Sequence, residues 1–361
     1  MPVSRPRPTT IAAAATAVAA VLALAGCGSS NSGGTAPSGS QSTGSSSAGS
    51  QTITLYNGQH EQTTDALVAG FEKKTGIKVK VRNDDEDVFD DQILTEGSHS
   101  PADVIYTENT PALQFLQEHN LLAKVDPTTL AKTPSKYNSP QGDWLGISAR
   151  VSVLDYDPSL ISASQLPKTA LALADPQYQG KLAIAPGETD FQPVVTSMIK
   201  QYGSARTLAW LKGLKANAGS HDYPDNETIA SDVNDGKVAF GLINQYYWYR
   251  LGAEIGTSKY HSQIAYFAPH DPGYVLDVSG AAVLASSKHQ AAAQQFLAYL
   301  NSPAGQEIIA HSDSFEYPIA SGVSRGAPET PFNQLRPNPI DLEQLGDGQA
   351  AVNLMKQAQL L

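Results

Sequence analysis

The sequence predicts an α/β protein built on largely parallel sheets and divided into two domains. Two observations predict it. Four times along the chain a short apolar run gives way to a polar break and then to a helix-period segment, the order of strands alternating with crossover helices. The part of the chain with globular composition, from about residue 52, is about 310 residues long, which is long for one hydrophobic core and suits two domains of ordinary size.

The first unit is "TITLYN" (52–57), followed by Gly58, Gln59 and His60 and then a periodic stretch in which Ala66, Leu67, Ala69 and Phe71 form one helical face and Gly76 the stop. The second is "ADVIYT" (102–107), which leads to Glu108 and to a helix with Thr110 as cap and Pro111 in its first turn. In the third, "KLAIAP" (181–186) runs into "GETDF" (187–191) and the helical "QPVVTSMIKQYG" (192–203). In the fourth, "VAFGLI" (238–243) runs into "NQYYWYRLGAEIG" (244–256). Between the first two units, "EDVFDDQILTEG" (86–97) reads as a helix with a solvated acidic face; it lacks the spacing and the glycine of a calcium loop.

The N-terminal end has a different character. Residues 1–26 carry Arg5 and Arg7 and then an Ala-rich apolar run, the pattern of a signal peptide. Leu24-Ala25-Gly26-Cys27 resembles a bacterial lipobox, which implies cleavage before Cys27 and lipidation of its sulfur. Cys27 is the only cysteine, so the chain has neither an intrachain disulfide nor a cysteine metal cluster. Residues 28–51 are rich in Gly and Ser and uncharged, a composition that does not offset its ordering entropy and reads as a flexible tether. Without Arg5 and Arg7 the chain has a net charge of −13, an acidic balance that argues against nucleic acid and is compatible with a cationic ligand.

In open α/β sheets ligands bind beyond the carboxyl ends of the strands. His60, Glu108, Glu188, Asp190, Tyr246 and Tyr247 all fall at such ends. At the opening of a helix, neighbouring tyrosines lie about 100° apart, and their long phenols can converge on one point. The stretch "YYWY" (246–249) has a second reading, an aromatic plug in a core or a domain interface. Imidazole, carboxylate and two phenols make a mainly oxygen set suited to a hard cation. Holding each phenolate at pH 7 costs roughly 4 kcal/mol, which favours a trivalent ion such as ferric iron over calcium or magnesium; zinc stays open as an alternative, though it has no need of two phenols.

"TLYNGQHEQ" (54–62), "SPADVIYTENTPAL" (100–113), "LAWLKGLK" (208–215), "LINQYYW" (242–248) and "SGAAVLASS" (279–287) occur in family order and resemble the bacterial ferric-ion-binding proteins of ABC iron importers. The likeness runs from about residue 52 to residue 320. It implies Fe(III) as the transported ligand, held by His60, Glu108, Tyr246 and Tyr247 between two lobes. It also implies a synergistic anion such as phosphate, carbonate or citrate near Asn226, Asn244 and the loop Glu188, Thr189 and Asp190. That loop departs from the family's small-residue pattern, because two acids stand where a phosphate would sit and repel it. Either one carboxylate replaces the anion as a ligand, or both face solvent or cap the next helix.

The implied fold is the two-lobed periplasmic-binding-protein type II architecture with hinge strands between the lobes. The expected crossovers are 144–157 and 277–286. Lobe 1 would be 52–148 plus 278–325, lobe 2 149–277, and 326–361 a helical segment packed on the body. The expected partners are an ABC permease with its ATPase subunit and, through the lipid, the outer face of the cytoplasmic membrane; the expected state is a monomer. Two alternatives remain. One is a receptor of the same fold for a polyamine or sugar, with Tyr246, Tyr247 and Trp248 as a stacking wall. The other is a metal-dependent extracytoplasmic hydrolase. "GVSRG" around Ser324 matches a hydrolase elbow but lies before a Pro-rich stretch with no histidine after His311, so it is discounted.

Overall fold

The computed structural model describes residues 51–320, 322–326 and 328–361; the expected leader 1–26, Cys27 and the tether up to residue 50 lie outside the described residues. The strands among them are β1 (Thr52–Gly58), β2 (Lys78–Asn83), β3 (Val104–Thr107), β4 (Leu145–Tyr156), β5 (Leu182–Ala183), β6 (Phe240–Asn244), β7 (Gln263–Ala265), β8 (Leu276–Val283) and β9 (Tyr317–Pro318). They join in the order β2-β1-β3-β8-β4-β6-β5, with β7 and β9 attached to β4.

The two wings of the sheet are parallel: β1 with β2 and β3, and β5 with β6. The middle departs from the expected parallel pattern. β8 runs antiparallel to β3 and to β4, and β4 runs antiparallel to β6. These two long strands make the passages between the halves of the molecule, so they run against their neighbours. β4 shows it most directly. Its residues 145–151 pair with β8, while 152–156 pair with β6 and β7.

Strand direction then decides where the strands end. β3 runs antiparallel to β8 and β8 antiparallel to β4, so β1 and β3 point the same way as β4. β6 and β5 point the opposite way. The carboxyl ends of the two wings therefore face each other along β4. Thr107 is level, through Gly280, with position 146, and Asn244 pairs with Ser152. The stretch between those positions, about 20 Å of strand, is the floor of a cleft.

Each half has its own core. In β1, Ile53 and Leu55 enter one cluster and Tyr56 another, the alternation of a strand covered on both faces. The other half is held by a single large cluster that includes Val153, Phe240, Trp210 and Met198. The C-terminal segment touches both halves. Leu342 and Leu345 pack into the same cluster as Tyr56, whereas Ala351, Leu354 and Met355 of the helix Gln349–Gln357 join the other half's core. Gly346 and Gly348, both with positive φ, make the turn between them.

Three local expectations differ in detail. Thr110, expected as a cap, is the first helical residue; Asn109 occupies the cap position with φ −123° and ψ 151° and uses its side chain elsewhere. The expected strand 181–186 shrinks to Leu182–Ala183 plus a bridge from Ile184 to Asp222, because Pro186 has no N–H to extend the ladder. The helix Glu86–Glu96 is not acidic on its solvated face alone: Glu86 and Asp90 are buried. Gly58 permits this close seating, since a Cβ there would lie 2.9 Å from the Glu86 Cβ.

Candidate functional site

From one wing, β1 ends at Gly58 and His60 opens the helix Glu61–Thr75, while β3 ends at Thr107 and Glu108 follows it. From the other wing, β6 ends at Asn244 and Tyr246 and Tyr247 lie in the first turn of the helix Gln245–Ile255. The two sets meet. The His60 Nδ1 lies 2.9 Å from a Glu108 oxygen, and the His60 ring packs edge-on to Tyr246 with centroids 5.0 Å apart. The two phenol rings lie 4.1 Å apart at a 32° tilt, as side chains on successive helical positions permit. The other imidazole nitrogen, Nε2, is buried without a hydrogen-bond partner. A buried lone nitrogen against a phenol is a position for a ligand.

Both phenols donate to one atom, the Asp190 Oδ2, at 2.9 and 3.1 Å. Asp190 is buried just before the helix Phe191–Tyr202, and its other oxygen receives the Arg150 Nη2 at 3.3 Å. Burial, and the negative charge of Glu108, raise the Asp190 carboxyl against the pull of Arg150. Burial and the Asp190 charge push both phenols well above 10, so they are neutral in this cleft. For the His60–Glu108 pair, burial opposes both charged forms and mutual attraction outweighs it: His60 is raised and Glu108 lowered.

Arg150 has no exposed surface, in the floor of the cleft on β4. Its guanidinium reaches Asn109 Oδ1 at 2.6 Å, Ser279 Oγ at 2.7 Å and a Glu316 oxygen at 3.2 Å, as well as Asp190. Asn109, beside Glu108, donates through Nδ2 to Thr189 Oγ1 at 3.0 Å and to Glu86 at 2.7 Å. One cation thus ties the wing of Glu108 to the loop of Asp190. Burial and the neighbouring Glu108 push Glu86 up to about 8, against its hydrogen bonds from Asn109.

The remaining expected residues fall on the same side as the phenols. Asn226 and Asn244 line a small space together with Asp190. Glu188 and Thr189 line the outer cleft beside His60, Glu108 and Tyr247; burial and the Asp190 charge push Glu188 up to about 8. Trp248 does not join the other two aromatics as a wall: it stacks on Tyr260 at 4.4 Å and its indole N–H donates to Ser262. Ser324 lies in a non-regular segment, and among the described residues the strand nearest before it is the two-residue β9. Among the described residues, no three His, Cys, Asp or Glu side chains are placed to hold a metal ion, so a metal set here depends on the phenols.

Sequence reasoning missed Arg150, Asn109, Glu86 and Glu316. A signal for Arg150 was present, an arginine inside an apolar crossover strand, where an unpaired charge is not stable. Nothing local marks Glu316, which accepts from Gln59, Ser148, Arg150 and Ser279 across the chain.

Residues 66–332 match the family model described as bacterial extracellular solute-binding protein. The Fe(3+)-binding periplasmic protein of Serratia marcescens is 40% identical over 86% of this chain and 91% of its own length. Iron-bound HitA from Pseudomonas aeruginosa superposes with a TM-score of 0.81 at 40% identity, covering 85% of this chain and 99% of that one. The Trichodesmium protein IdiA (FutA), solved with iron and citrate, gives a TM-score of 0.75 at 28% identity over 86% of this chain and 100% of its own.

Removing one partner of a buried charge network leaves the others uncompensated. Arg150→Met should therefore lower the unfolding free energy by about 3–5 kcal/mol. A denaturant midpoint shifted down at unchanged slope checks it, and a midpoint within error of the wild type rejects this account of the cleft floor.

Proposed function

The chain belongs to the bacterial extracellular solute-binding protein family, and from that premise we propose that it captures ferric iron in its cleft, outside the cytoplasmic membrane, and delivers it to an ABC importer. The observation that carries this reading is the meeting of His60, Glu108, Tyr246 and Tyr247 at the facing strand ends. In this reading His60 binds through its free Nε2, Glu108 through a carboxylate oxygen, and the two tyrosines as phenolates. The partners are the permease and ATPase subunit of the importer. Cleavage before Cys27 and lipidation of its sulfur hold the protein at the membrane, with 27–51 as tether. The protein acts as a monomeric receptor and not as an enzyme.

Lobes 52–148 plus 278–325 and 149–277 hinge on β4 and β8 and close over the ion, with 326–361 packed against them. Asp190 takes the place of an exogenous anion. It already gathers both phenols, and Arg150 fixes its orientation, whereas a phosphate at the same point would face the Asp190 carboxylate. Asn226 and Asn244 support it from behind. Affinity should be the same with and without phosphate, and a strong phosphate requirement rules out this role for Asp190.

Tyrosinate on ferric iron gives a visible charge-transfer band. Titrating the anchor-free protein with iron should develop that band, and Tyr246→Phe and Tyr247→Phe should each weaken affinity by about 100-fold or more and dim it. Undiminished binding and colour in both variants reject the ferric reading.

The sign of the pH dependence follows from the phenols. Both are raised above 10 in the metal-free cleft, so each is protonated at neutral pH and loses a proton when the ion binds. Lower pH restores those protons and favours release. Affinity should fall by about 100-fold for each unit of acidification while His60 is neutral, the slope of the two phenol protons, and by about 1000-fold where His60 is charged and its Nε2 must give up a proton as well. Equilibrium dialysis across the neutral range measures it, and a flat profile contradicts phenolate binding.

A further inference from the structure

The first wing sorts its surface charge by end. Glu61 and Asp65 stand exposed where the helix Glu61–Thr75 leaves the cleft, and the exposed Asp84 and Asp87 follow the cleft end of β2. The opposite end of both elements, about 20 Å away along the helix, is basic. Lys73, Lys74, Lys78 and Lys80 are all exposed there, and the stretch 73–80 contains no acid although the chain as a whole is acidic. We infer that this basic corner seats the body on an anionic lipid surface, the headgroup face of the bilayer that holds the anchor; this rests on the lipid-anchored reading above.

The point of entry of the tether selects that partner. Residues 28–51 join the body at this corner, where the Gln51 carbonyl accepts from the Lys78 N–H at 2.8 Å. The corner is therefore the part of the body that the chain ties most directly to a lipidated Cys27. β2 is the outermost strand of its wing, so no further strand covers it on that side. Val79 and Val81 pack on the cluster of Ile53 and Leu55, so Lys78 and Lys80 leave the strand on its other face. Among the described residues only Lys78 of the four is ion-paired, with Glu72 at 2.7 Å. Lys288, exposed beyond the end of β8, adds a cation at the same end of the sheet. A cation in the last turn of a helix or on an edge strand has a local use. Neither use gathers four of them where the tether enters.

Near an anionic bilayer each lysine contributes about 5-fold to binding, and the attraction dies away within a Debye length of about 8 Å at physiological salt. The three charges left once Glu72 is counted against the four lysines amount to about 100-fold. That is modest alone, and it suffices to seat a body already confined by a lipid and a tether. The same surface repels the acidic ends of the helix and of β2, so seating turns the cleft mouth away from the bilayer.

The test uses the chain with Cys27→Ser, which takes no lipid, and sedimentation with vesicles. At about 20 mM salt, where the field reaches further, it should bind vesicles of equal parts phosphatidylglycerol and phosphatidylcholine but not phosphatidylcholine alone, and about 0.5 M salt should release it. Lys73→Gln, Lys74→Gln, Lys78→Gln and Lys80→Gln together should weaken that binding by about 100-fold or more. Lys132→Gln, Lys181→Gln, Lys200→Gln and Lys212→Gln, an equal change of net charge at other exposed lysines, should leave it nearly unchanged. Equal losses in the two variants, or no binding to the anionic vesicles, overturn the inference and leave the anchor standing. Binding of polyphosphate without binding of the vesicles assigns the corner to another polyanion and overturns it too. The anchor is tested apart from the seat, by mass spectrometry of the wild-type protein: a mature terminus at Cys27 without lipid overturns the anchored reading itself.

Discussion

The buried pairing of Arg150 with Asp190 is the constraint on which the rest of the cleft depends. An arginine on a strand without exposed surface has no stable place unless carboxylates and carbonyl-type oxygens surround it. Here the surrounding oxygens come from Asn109 after one strand, Asp190 before a helix of the other half, and Glu316 far along the chain. Satisfying one guanidinium therefore fixes the relative position of the two strand-end loops that carry the candidate ligands. The hydrogen bonds from Tyr246 and Tyr247 to Asp190 extend the same network to the phenols. The charge that organises the cleft is internal.

Much of this was legible in the sequence because the signals were local. The periodic runs after 52–57 and 238–243 placed His60 and the tyrosine pair at strand ends, and strand ends are where such folds expose side chains. The tyrosines at helix positions one apart were readable as convergent for the same reason. The antiparallel middle of the sheet was not, since a crossover strand and a wing strand have the same apolar composition and differ only in where they lead. The burial of Glu86 and Asp90 was hidden as well. An acidic helix reads as solvated unless the partner that covers it is known, and for Glu86 the covering comes from Gly58 and Asn109, each brought in by long-range folding.

The aromatic run separates into two tasks that one reading of its composition merges. Trp248 is spent on local packing, stacked on Tyr260 and tied to Ser262. Tyr246 and Tyr247 are buried too, but their hydroxyls converge on a carboxylate instead of dispersing into the core. A plug needs area and no such convergence. Two phenols aimed at one acceptor are costly to ionise and so have little use until a strongly charged ion arrives.

That cost also explains why the cleft is charged as it is. Metal-free, the inner cluster holds Glu108 against His60 and both Asp190 and Glu316 against Arg150, so its fixed charges carry only a small negative excess while the phenols stay neutral. A divalent ion arriving there gains attraction from the carboxylates but must still force two phenols to ionise at more than about 4 kcal/mol each. A trivalent ion stabilises each phenolate by a larger share of its own charge, and the two phenolates in turn offset most of it. In the proposed ferric role the site therefore discriminates by charge. A nearly neutral interior with two latent anions responds most to the cation able to release them.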